Sequence, residues 1–148
     1  MIGKFWCCCV VLAALTGLPG WVWACSVSAD GLAFGSYSPF DAGHADSTAT
    51  ITVDCETAYT LKLSEGFSGS FSPREMAGDG DPADRLDYNI YTDASFSVVW
   101  GDDSGASQSV AGAGSSQPVD HTAHGRIPAG QNARVGTYSD VITVTVEF

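Results

Sequence analysis

At 148 residues, 45% of them hydrophobic, this chain has material for a single core and no room for two domains of ordinary size. Its formal charge of −11 arises from 17 Asp and Glu against six Lys and Arg, and so acidic a surface repels phosphate backbones. The cations beyond the N-terminus, Lys62, Arg74, Arg85, Arg126 and Arg134, are scattered along the chain. Nucleic acid is therefore not an expected partner, and the acidity reads as solubility outside the cytoplasm.

The first 24 residues read as a targeting segment. Lys4 supplies the charged region, residues 5–18 the apolar stretch, and Pro19 with Gly20 interrupts it before Val22, Trp23 and Ala24. The apolar run is shorter than a spanning helix needs. Cleavage after Ala24 removes Lys4, taking the formal charge from −11 to −12, and leaves residues 25–148 as the mature domain. Cys7, Cys8 and Cys9 depart with the segment, so Cys25 and Cys55 become the only pair, expected to join in an oxidising compartment. A second reading stays open, in which residues 22–25 form a lipoprotein box and Cys25 carries lipid; the bulk of Trp23 argues against it.

Beyond Cys25 the sequence predicts short strands. Residues 26–29 and 32–37 read as two pieces of a first strand, broken at Asp30 and Gly31. Residues 48–55 alternate, with Ile51, Val53 and Cys55 inward and Thr50, Thr52 and Asp54 outward, and Tyr59, Leu61 and Leu63 repeat that period. Further strands are expected over 86–92 and 96–100, with a weaker one over 119–127. Stretches 66–82 and 101–117, rich in Ser, Gly and Ala, read as mobile surface loops. No window has helical spacing, so the fold class is all-β, an antiparallel sandwich or barrel.

The last strand is the clearest. Ile142, Val144, Val146 and Phe148 face one way, and Thr143, Thr145 and Glu147 the other. Tyr138, at the entrance to this strand between Gly136 and Asp140, resembles the tyrosine corner that opens the sixth strand of immunoglobulin-like sandwiches. Nothing follows Phe148 in the sequence, so the sandwich is expected to lack its seventh strand and to need one from another chain.

Residue sets with catalytic or metal-binding potential are sparse. His121 and His124, three apart, would point to opposite faces of an extended segment and so make a poor zinc pair. His44, Asp120 and the many serines lack a nucleophile-elbow sequence. Asp79, Asp81 and Asp84 resemble part of a calcium loop without its closing Glu, and Asp102 with Asp103 reads as a turn. Trp100, Tyr88, Tyr91, Phe96, Tyr59 and Phe34 fit a sandwich core better than a sugar-stacking face. No enzyme, metal or cofactor is expected.

Several landmarks taken together carry a family resemblance. They are Cys25-Ser-Val-Ser-Ala, Leu32-Ala-Phe-Gly-Ser-Tyr37, Ile51-Thr-Val-Asp-Cys55 and Leu86-Asp-Tyr-Asn-Ile-Tyr-Thr-Asp93. Val99-Trp-Gly-Asp102, Gly125-Arg-Ile-Pro-Ala-Gly-Gln131 and Gly136-Thr-Tyr-Ser-Asp140 follow in order. The mature chain resembles the spore coat protein U domain family, the pilin-like subunits of archaic chaperone-usher systems. The resemblance implies an incomplete immunoglobulin-like sandwich completed by a donor strand, first from a periplasmic chaperone and later from a neighbouring pilus or coat subunit.

On that basis Ile142, Val144, Val146 and Phe148 are expected to line the acceptor groove, and an outer-membrane usher joins the partners. No small-molecule substrate is implied. The protein would pass through the periplasm of a Gram-negative bacterium to its surface. Related subunits carry a hydrophobic donor extension before the first cysteine. Cleavage after Ala24 leaves none here, which favours a terminal subunit or a coat protein that does not polymerise by the usual route. The alternative is an adhesive surface module, self-complete or lipid-anchored.

Overall fold

The computed structural model describes residues 25–148; the expected targeting segment, its expected cleavage point and Cys7, Cys8 and Cys9 lie outside them. Among the described residues nine strands follow in order: β1 (Ser26–Ala29), β2 (Ala45–Asp54), β3 (Tyr59–Leu63), β4 (Arg74–Gly78), β5 (Arg85–Tyr91), β6 (Val110–Gly112), β7 (Val119–Ile127), β8 (Tyr138–Ser139) and β9 (Val144–Glu147). They form a six-stranded sheet in the order β1-β2-β7-β5-β4-β8 and a three-stranded sheet in the order β6-β3-β9. All pairings between these strands are antiparallel. One core cluster draws on both sheets, with Ile51, Val53, Ile90 and Ile127 from the larger and Leu61, Leu63 and Val144 from the smaller. The chain is all-β, as its alternating pattern predicts.

β2 and β3 follow directly from period-two patterning. Ala49, Ile51 and Val53 of β2 and Tyr59, Leu61 and Leu63 of β3 are buried, while the intervening residues are not. β7, the weakest prediction, is in fact central, pairing with β2 over nine residues and with β5 on its other side. Its inward positions include Ala123 and Gly125, too small to announce a strand. Gly125 is small for a reason: a Cβ there would overlap the side chains of Leu32 and Phe34, which cross the sheet at that point.

Residues 32–37 consequently form no strand. Leu32, Phe34 and Tyr37 are buried, but the segment is held by individual bonds rather than a ladder. The Ser47 hydroxyl donates to the Ala33 carbonyl at 2.7 Å, and the Tyr37 hydroxyl donates to the Pro128 carbonyl at 3.2 Å. The apolar spacing reports burial against Gly125, not pairing. Residues 96–100 also differ from expectation. Phe96 adopts φ 56°, and the Asp93 carboxylate accepts the backbone N–H groups of Ser97 and Val98, so the segment opens as a tight turn, and Val99 and Trp100 make isolated bridges to Tyr91 and Gln108 in place of a ladder.

The two presumed loops contain structure. Stretch 66–82 holds a 3-10 turn, Gly66–Ser68, and strand β4, in which Arg74 and Met76 are fully buried. Stretch 101–117 holds β6, which pairs with β3. Both strands were hidden because their neighbours in sequence are polar and β4 opens on a charged residue.

At the end of β7, Pro128 has no N–H to extend the ladder beside β5. The Gln131 side chain takes its place: Oε1 accepts the Asp87 N–H at 2.8 Å and Nε2 donates to the Asp87 carbonyl at 2.9 Å. The last strand is likewise divided. Tyr138 and Ser139 pair with β4 in the larger sheet, and the chain then crosses over residues 140–143 to become β9 of the smaller one.

Candidate functional site

β1 is an outer strand of the larger sheet and β9 an outer strand of the smaller, and between them the sandwich is open. An apolar cleft of about 410 Å³, counting its mouth, occupies this gap. One lip is Ala29, Asp30 and Leu32; the other is Ile142 and Val144. The floor is made by Ala49 and Ile51 of β2, Ala123 of β7, Ile90 of β5 and Leu63 of β3. Three alanines among these residues explain why the space is unfilled: their side chains end at Cβ, and no larger group from the opposite sheet reaches over them. β9 pairs only with β3 among the described strands, so its other edge faces the opening.

Of the four residues expected to line a groove, Ile142 and Val144 do so and are buried. Val146 packs against the core cluster without bordering the cleft. Phe148 lies past the end of β9 and is 52% exposed, so the inward alternation does not extend to it. The ladder is what fixes alternation, and the last paired residue is Glu147, opposite Thr60.

Cys25 and Cys55 are bonded, with 4.4 Å between their Cα atoms. The bond sits just beyond the Ser26 and Asp54 pair, where it pins the start of β1 to the end of β2. Tyr138 is buried, and its hydroxyl donates to the Arg134 carbonyl at 3.1 Å, four residues upstream. Tyr138→Phe is expected to lower stability by about 1 kcal/mol with the fold retained, the usual net worth of one such bond. An unchanged thermal midpoint would make that bond inconsequential.

Behind the β9 lip lies a polar cluster that the sequence did not announce. Asp140 is buried and accepts three hydrogen bonds: from the Tyr88 hydroxyl at 2.6 Å, the Phe67 N–H at 2.8 Å and the Val141 N–H at 2.7 Å. Burial, reinforced by Asp140, pushes the Tyr88 hydroxyl pKa up, so it stays a donor. Gly66 admits the approach, since its φ is +73° and a Cβ would overlap the Asp140 carboxylate.

Alongside, Arg74 is fully buried, and its guanidinium donates to the Ser64 carbonyl from two nitrogens at 3.1 and 2.9 Å. It also reaches the Trp100 carbonyl at 2.7 Å and Asn89 Oδ1 at 2.8 Å, and it stacks over Phe71. Burial lowers its pKa to about 10, so it remains a cation at neutral pH. A helical or strand period could not flag Arg74 or Asp140, because each is a polar side chain inside a segment read as loop or corner.

The other candidate sets are separated. His121 points inward, its Nε2 2.7 Å from the Tyr59 hydroxyl, and burial lowers its pKa. His124 lies on the outer face against the edge of Phe96. Asp79, Asp81 and Asp84 serve as turn residues: Asp79 accepts the Thr137 N–H, Asp81 accepts the Ala83 N–H, and Asp84 faces Arg134 at 3.6 Å. Among the described residues, no three His, Cys, Asp or Glu side chains converge as metal ligands. His44 accepts the Ala129 N–H, while Asp120 accepts the Thr52 hydroxyl near the other end of the β2–β7 ladder. Trp100, Tyr88, Tyr59 and Phe34 are core residues, whereas Tyr91 and Phe96 pack on the outer face, with Arg126 3.6 Å above the Phe96 ring.

Comparison with known proteins fits this architecture. The family model for the Spore Coat Protein U domain matches residues 13–145. Protein U of Myxococcus xanthus is 30% identical, with 84% of this chain and 78% of that protein covered. Among solved structures, the CsuC-CsuE chaperone-tip adhesion subunit pre-assembly complex, from the archaic chaperone-usher Csu pili of Acinetobacter baumannii, is similar with a TM-score of 0.60 at 20% identity. That likeness, one of fold, covers 84% of this chain and 40% of the other, so the chain spans less than half of its counterpart there. With the matched model running over most of its length, the chain belongs to the spore coat protein U domain family.

Proposed function

We propose that this protein is a secreted structural subunit of a surface pilus or coat, whose sandwich is completed by a strand from another polypeptide laid along β9 and into the cleft. The observation that carries this reading is the cleft itself, an apolar floor open between two outer strands of different sheets. Such a combination is costly to leave in water, because the strand edge invites foreign pairing and the mouth of the cleft leaves a small part of its apolar lining uncovered. An incoming extended segment answers both needs, with main-chain bonds to β9 and alternate side chains entering the cleft.

The partners on this reading are a periplasmic chaperone, an outer-membrane usher and neighbouring subunits, and the destination is the cell surface by way of the periplasm. With cleavage after Ala24 the mature chain would accept a strand and carry no extension to donate, a property suited to the end of a fibre. Support comes from the family membership and from the fold shared with a subunit of the Csu complex.

The test compares the mature chain alone with the chain plus cognate chaperone or fused to a donor peptide of alternating hydrophobic pattern. Alone, it is expected to self-associate by size-exclusion chromatography with light scattering. With a strand supplied, it is expected to become a stable monomer. Val144→Asp, which places a charge in the cleft, is expected to abolish that rescue. A chain that is monomeric, unfolds cooperatively and ignores every added strand would instead be a self-complete adhesive module.

A further inference from the structure

The buried arginine lies next to the cleft through its partners. Ser64, whose carbonyl accepts two of its hydrogen bonds, directly follows Leu63 of the cleft floor, and Asn89 directly precedes Ile90 of that floor. Ser64 also holds the lip. Its Oγ accepts the Thr143 N–H at 2.9 Å and its own N–H donates to the Thr143 carbonyl at 3.0 Å. Thr143 stands between Ile142 and Val144, the two residues of the β9 lip. A continuous set of bonds thus runs from β4 and β5 of the larger sheet, through Arg74 and Ser64, to the crossover that forms β9.

We propose that Arg74, acting through Ser64, is a positioning residue for strand capture: it fixes the separation of the two sheets so that the cleft stays open to an incoming strand. An apolar cleft bordered by alanines gains by collapse, since closer packing restores lost dispersion contacts. A guanidinium with donors directed at Ser64, Trp100 and Asn89 opposes collapse, because moving the sheets together or apart breaks bonds that have no water to replace them. Its fork spans at once the Ser64 carbonyl, just past β3 of the smaller sheet, and Asn89 Oδ1 on β5 of the larger, which a lysine ammonium cannot reproduce in the same geometry.

This inference rests on the strand-accepting reading above, and its test separates the two. A lysine-capped synthetic peptide of alternating valine and threonine is titrated into the mature chain and into Arg74→Lys, Ser64→Ala and Tyr37→Phe. Ser64→Ala keeps Arg74 and its carbonyl partner but frees the Thr143 N–H, and serves if Arg74→Lys does not fold. Tyr37→Phe loses a buried hydroxyl remote from the cleft and controls for general loss of stability.

If the cleft is competent only about a tenth of the time once the tie is cut, peptide affinity falls about tenfold. Arg74→Lys and Ser64→Ala are expected to show that loss as slower association, with Tyr37→Phe binding as the unaltered chain does. Wild-type affinity in the first two, at a lowered unfolding midpoint, would reduce Arg74 to a stabilising residue and overturn the inference while leaving strand acceptance intact. Absence of binding to the unaltered chain, with cognate chaperone also without effect, would overturn both.

Discussion

Asp140→Ala is expected to remove about 3 to 5 kcal/mol of stability, a large part of what a domain of this size possesses. The carboxylate serves three donors, and deleting it strands the buried Tyr88 hydroxyl together with the N–H groups of Val141 and Phe67. Each unsatisfied donor costs about 1 to 3 kcal/mol according to its depth, and the costs are not additive because all three share one acceptor. Asp140→Asn should be milder, since its remaining carbonyl oxygen still accepts backbone N–H groups while the amide nitrogen cannot accept from Tyr88. Urea unfolding monitored by tryptophan fluorescence provides the check. A midpoint for Asp140→Ala within the scatter of the unaltered chain would mean that water reaches all three donors, contrary to the burial of Tyr88.

The second large effect concerns the disulfide. Replacing Cys55 by Ser is expected to cost about 3 to 4 kcal/mol, from the loop entropy returned to the unfolded chain by opening a crosslink between residues 30 apart. The position magnifies the consequence. β1 has only four residues and pairs only with β2 among the described strands, so without the bond the cleft's first lip depends on a short edge ladder. Loss of stability should therefore be accompanied by faster hydrogen exchange in β1 and the following residues, with β7 less affected. Intact-mass measurement on periplasmic material should give a chain lighter by two hydrogens than the dithiol form. Two free thiols, or lipid on Cys25, would remove the basis for this prediction.

How much of the molecule could be read in advance differs between elements. β2 and β3 were legible because their alternation is carried by large residues, Ile51 and Val53 in one and Tyr59, Leu61 and Leu63 in the other, and each such side chain reports its own face. The disulfide was legible by count on the expectation that residues 1–24 are removed. Ile142 and Val144 were legible as a buried face next to an edge.

β7 was nearly hidden, although it is paired on both sides, with β2 and with β5, because a central strand crossed by Leu32 and Phe34 needs a glycine at the crossing and so loses its hydrophobic signature. β4 was hidden because Arg74 reads as a surface residue until its carbonyl partners are known. Those partners, Ser64, Asn89 and Trp100, come from three separate segments of the chain.

The sequence by itself determined the all-β class, the acidic surface, the cysteine pair and the family, because periodicity, charge and motif order are local and additive properties. Only the tertiary structure decided where the sandwich is open and what borders the opening. The cleft joins residues from β2, β3, β5 and β7 with the end of β1, the start of β9 and the residues beside them, and its opening is a property of three alanines meeting in space. The tie behind it is a set of polar groups that are satisfied only by one another. Such groups look like ordinary surface residues in a linear chain, and become a buried, directional constraint only when folding removes the water that would otherwise have bonded them.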